Sequence, residues 1–94
     1  MIFWEKASLD DREAIFEYLY AFNPEVAERT DALIQQKVSN LQNQPEIGVV
    51  REGVPGRLLI IPDVSMLVAY FIDGADIRVM HVLHQKQQFP PSSK

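Results

Sequence analysis

Residues 65–84, SMLVAYFIDGADIRVMHVLH, decide the fold. Two apolar runs, 65–72 and 76–84, flank Asp73-Gly74, and an Asp-Gly pair between such runs is a strong short-range signal for a β-hairpin. Just upstream, RLLII at 57–61 forms a third strand candidate that Pro62-Asp63 closes, so the C-terminal half reads as an antiparallel meander. Beyond it the chain continues as HQKQQFP at 84–90, placing a histidine, a lysine and an aromatic ring at the end of the last strand. A sheet end that delivers polar and ring-bearing side chains is a common way to build a site on a small domain.

The N-terminal half has the other period. Residues 2–6, IFWEK, form a short aromatic strand, after which Ser8 is the expected helix N-cap with Asp11 in the capping-box position and Asp10 at the positive end of the dipole. Ile15, Leu19 and Phe22 recur at helical spacing, widened by Phe16 and Tyr20. Asn23-Pro24 ends this helix and starts another, since asparagine caps and proline is preorganised for a first helical turn. The second helix turns Val26, Thr30, Leu33, Ile34, Val38 and Leu41 to one side and Glu25, Glu28, Gln35, Gln36 and Asn40 to water. A connection this short makes the two helices antiparallel neighbours. Asn43, Gln44, Pro45 and Gly48, then Gly53, Pro55 and Gly56, mark loops, leaving at most a short strand at 49–51. The expected fold class is α+β: a short N-terminal strand and an antiparallel helical hairpin packed on a three- to four-stranded antiparallel sheet. One domain should span 1–90, with a short flexible tail at 91–94.

Composition narrows the function. Ninety-four residues suit one domain. A net charge of -4 and a pI near 5.0 exclude a global attraction for nucleic acid, and the acids concentrate before residue 32. With no cysteine there is neither disulfide framework nor thiol chemistry. Glu5 and Lys6 interrupt the opening MIFW, and no run reaches the length of a membrane span, so a cytoplasmic protein without membrane contact is expected. The strands at 57–61, 67–72 and 77–83 are apolar on both faces, although two helices cover only one. The other face is therefore expected to bind a protein partner.

Order and landmarks together resemble the ParE/RelE superfamily of toxins from type II toxin–antitoxin systems. The resemblance rests on NPEVA at 23–27, QNQPEIG at 42–48, Arg57 at the head of a strand, Tyr70 before Asp73-Gly74, and VLHQKQQFP at 82–90, and it spans nearly the whole chain. It implies a growth inhibitor neutralised by a small cognate antitoxin in a hetero-oligomer. RelE-like members cut mRNA on the ribosome, whereas ParE-like members act on DNA gyrase. A ribosomal nuclease sits among RNA phosphates and tends to be basic; this acidic chain, with only Arg51 in its central 43–56 loop, is nearer the ParE branch. A ribosome-dependent endoribonuclease is the alternative reading, and a decayed toxin that retains only antitoxin binding is a third.

Within that resemblance the target-binding residues are Arg57, Arg78, His84, Lys86 and Phe89. Were the chain a ribonuclease, Arg57 would clamp phosphate and His84 would serve as acid or base, while a salt bridge of Arg57 to Asp63 or Glu52 is the bland alternative. His81 shares strand parity with Ile77, Val79 and Leu83 and is expected at the helical core face or its rim, with a structural role. Tyr70 is expected in packing. No cofactor or metal is implied, because no phosphate loop, nucleophile elbow or zinc spacing is present.

Overall fold

A computed structural model describes residues 1–85. Strand β1 (Ile2–Trp4) leads into helices α1 (Lys6–Phe22) and α2 (Pro24–Ser39), a 3-10 turn (Asn40–Gln42), and then β2 (Arg57–Ile61), β3 (Met66–Asp73) and β4 (Asp76–His84). The sheet order is β1-β4-β3-β2. The β2–β3–β4 part is the expected antiparallel meander, while β1 lies parallel to β4, so the complete sheet is mixed. The hairpin closes with Asp73 opposite Asp76, and Gly74 supplies the positive φ of 63° that a two-residue turn requires. Residues 49–51 contribute only a bridge between Val49 and Leu58.

Helix α2 forms where its signals stand. Asn23 Oδ1 accepts hydrogen bonds from the Glu25 and Val26 N–H groups, and Pro24 occupies the first turn. Helix α1 starts a turn earlier than its Ser8 signal implies. The Glu5 N–H is still bonded to Val79 O at 3.0 Å, as the last rung of β1 on β4, and the chain turns helical immediately after that rung is made. Ser8 is therefore inside the helix, fully buried, and its hydroxyl donates to Glu5 O at 2.7 Å.

The core lies between the hairpin and the sheet. Ile34, Val38 and Leu41 pack on Ile61, Val68 and Val79, with Tyr70 fully buried among them. The α1 stripe is narrower than its periodicity implies: Ile15 reaches this core, while Phe22 is 74% exposed. Across the hairpin, Arg12 grips Asp31 through two hydrogen bonds of 2.9 and 2.8 Å and stacks over Trp4 at 4.5 Å, and Gln35 donates to the same carboxylate. The Arg12 hydrogen bonds outweigh partial burial and hold the Asp31 carboxyl below its ordinary range. A depressed native pKa confers stability above the unfolded value, near 3.8, that is lost as pH falls through the native one. Removing the fork by Arg12→Ala should cost about 1–3 kcal/mol at neutral pH. The difference from the unchanged protein should shrink in acid, as urea unfolding at neutral pH and below pH ~3 would reveal. A pH-independent difference would assign the cost to lost packing on Trp4.

Candidate functional site

The sheet face away from the helices is partly roofed. The 49–56 loop folds over it, and Val54 is buried against Leu58, Ala69 and Met80. This amends the expectation of a face with no cover: a loop supplies some. Beyond Val54 the cover stops, leaving Ile60 at 40% and Phe71 at 37% exposure, with Val50 of the loop at 69%.

The segment that leads into this loop, residues 45–48, is held by Arg57 and Tyr70, which are paired across β2 and β3. Tyr70 donates its hydroxyl hydrogen to Pro45 O at 2.7 Å and accepts the Gly48 N–H at 2.9 Å. Burial pushes the Tyr70 hydroxyl above its ordinary pKa, against the downward pull of the Gly48 N–H and of Arg57, so it stays a neutral donor. Glycine at 48 is required by contact: a Cβ there would lie 2.5 Å from the Tyr70 hydroxyl oxygen. Arg57 Nη1 donates to Gly48 O at 2.8 Å and to Glu46 O at 3.3 Å. Its ordered partners are thus backbone carbonyls of the loop and not Asp63 or Glu52.

Arg78 is engaged as well. Its guanidinium bonds Glu5 at 2.7 Å and Asp73 at 3.1 Å and sits over the Phe3 ring at 5.5 Å, and Asp73 and then Glu5 raise its pKa further. His84 lies at the opposite end of the sheet, in a cleft with Arg29, Asp63 and Ser65. The structure therefore does not gather Arg57, Arg78 and His84 into one cluster. Lys86 and Phe89 lie outside the described residues, as does the 91–94 tail.

His81 departs from its strand parity for a definite reason. A bulge in β4 puts Val79 opposite Tyr70 and His81 opposite Ala69, with Met80 as the extra residue, and the inside–outside alternation shifts there. Val79 and Val82 both join the helical core, and His81 turns toward α1, where Nδ1 lies 3.1 Å from Asp11 Oδ2. The same Asp11 oxygen accepts the Val82 N–H at 3.0 Å. Asp11 is thus no capping-box residue; it seals the outer edge of β4 beyond the end of β1. The bulge left no sequence signal, since every residue near it is apolar or β-compatible.

A helical hairpin on a mixed sheet, with a loop over a half-covered apolar face, defines a small α+β domain. The chain belongs to the family of the ParE toxin of the type II toxin–antitoxin system, parDE, whose model matches residues 2–89. The fold is also that of a solved chain titled as the chromosomal ParDE TA system from P. aeruginosa. The two are 23% identical, with a TM-score of 0.77 over 88% of this chain and 92% of that one. No curated protein matches the chain. Among the described residues no helix is long and apolar enough to cross a membrane.

Proposed function

We propose that this ParE-type toxin inhibits growth by acting on DNA gyrase through protein contacts, without catalysis of its own, and is neutralised by a cognate antitoxin on the exposed part of its sheet. The observation that carries the gyrase reading is where the arginines go. A nuclease needs cations turned toward phosphate, whereas Arg57 serves loop carbonyls and Arg78 serves two carboxylates on a chain of net charge -4. Ile60 and Phe71, exposed beside the Val54 roof, support the sheet as the antitoxin surface, and the solved relative is titled as a ParDE system. Cytoplasmic action follows from that target.

Purified gyrase with plasmid, and ribosomes with mRNA, distinguish this reading from ribosome-dependent mRNA cleavage. The antitoxin-free protein should block supercoiling or trap cleaved DNA while leaving mRNA whole. His84→Ala should then change the potency of inhibition as an interface residue does, whereas in an acid–base enzyme it would cost roughly 10²–10⁴ in rate. Specific mRNA cuts that vanish in His84→Ala or Arg57→Ala would replace the gyrase reading with the ribonuclease one.

A further inference from the structure

On the helix side of the sheet, far from the Val54 roof, the hairpin and the β2–β3 turn leave a cleft of about 320 Å³. Arg29 and Thr30 of α2 line it from one side, and Asp63, Ser65 and His84 from the other. Three properties set it apart from an ordinary surface groove. Arg29 and Asp63 bear opposite charges on the lining of the same cleft, yet neither forms an ion pair among the described residues. Thr30 is only 5% exposed, and its hydroxyl makes no hydrogen bond among the described residues. Because no fully buried polar atom among the described residues lacks a partner, that hydroxyl is not fully enclosed, and Thr30 lines the cleft. A nearly buried hydroxyl without a protein partner is costly unless water or a ligand satisfies it. Leu19, Val26 and Met66 complete the lining with apolar surface.

Opposite charges that face one space without meeting are matched by a molecule carrying both. We propose that this cleft binds a carboxylate with an N–H donor on the adjacent carbon and an aliphatic side chain, as in an apolar α-amino acid or the C-terminal residue of a polypeptide. Arg29 takes the carboxylate, Asp63 the N–H, the Thr30 and Ser65 hydroxyls complete the polar set, and the Leu19, Val26 and Met66 wall takes the side chain. The volume, near the small end of ligand pockets, admits one residue of that size.

The test is a titration of the isotope-labelled full chain with L-leucine, read at the amide signals of Thr30 and Ser65. Saturable shifts are expected. 4-Methylpentanoate, which lacks the nitrogen, and isoamylamine, which lacks the carboxylate, should each bind at least about tenfold more weakly, a difference of about 1.4 kcal/mol. Arg29→Gln and Asp63→Asn, both at exposed positions, should each weaken leucine by a similar factor while preserving the rest of the spectrum. N-acetyl-L-leucine separates the two sources: tighter binding than leucine assigns the cleft to a chain terminus, and weaker binding assigns it to the free amino acid. The proposal is overturned if leucine and its acetylated form both give no saturable shift up to their solubility, or if 4-methylpentanoate binds as well as leucine.

Discussion

Tyr70→Ala should remove about 3–5 kcal/mol of stability, enough to unfold much of a domain whose total is on the order of 5–15 kcal/mol. The ring is fully buried in the main core, so truncation leaves a cavity that the rigid β3 backbone cannot close. The hydroxyl adds a separate loss, because its removal leaves Pro45 O and the Gly48 N–H without their partner. Tyr70→Phe isolates that second part and should cost about 1–3 kcal/mol, with faster amide exchange at Gly48 and little change in the helices. Urea unfolding of the two variants checks the division. Equal losses would place the whole effect in the hydrogen bonds, and losses below about 1 kcal/mol in both would mean that the loop and core do not depend on this residue.

The second large effect concerns the antitoxin surface. A partner that binds only the folded chain, present at about a thousand times its Kd, stabilises by about 4 kcal/mol, which for a domain of this size raises Tm by roughly 15–30 °C. A cognate antitoxin bound to the proposed sheet surface should do so, and a Phe71→Lys, Ile60→Lys double variant should lose most of the shift. Both positions are already partly in water, so the unbound variant should melt within a few degrees of the unchanged protein. A full shift retained by the double variant would move the antitoxin to another face, and no shift with the unchanged chain would remove the tested antitoxin as its partner.

What the sequence discloses depends on whether a signal is local. Asn23-Pro24, the Asp73-Gly74 turn and the α2 stripe are each written within a few residues, and each forms where expected. The start of α1 is governed instead by a bond from Glu5 to Val79, far along the chain, and it overrides the Ser8 cap. The bulge at Met80 is equally non-local, and it alone decides that His81 meets Asp11. Of the expected site residues, Arg57, Arg78 and His84 are all polar groups at strand positions, but their composition held no information about the carbonyls and carboxylates that would claim the two arginines. The Arg29–Asp63 cleft was not legible at all, because its walls come from segments more than thirty residues apart.

The Asp11 carboxylate on Val82 has a consequence for how this protein fails. Sheets spread into aggregates by adding strands at open edges. Here one border is occupied by β1 and then by a helix side chain, and the other is tied at Leu58 by both hydrogen bonds of the Val49 bridge. Among the described residues, lateral growth therefore has only the three-residue outer edge of β1 and a short stretch of β2 to start from. Clumping of an overproduced chain should proceed face to face through Ile60 and Phe71, giving amorphous precipitate that mild detergent redissolves, and not thioflavin-positive fibres.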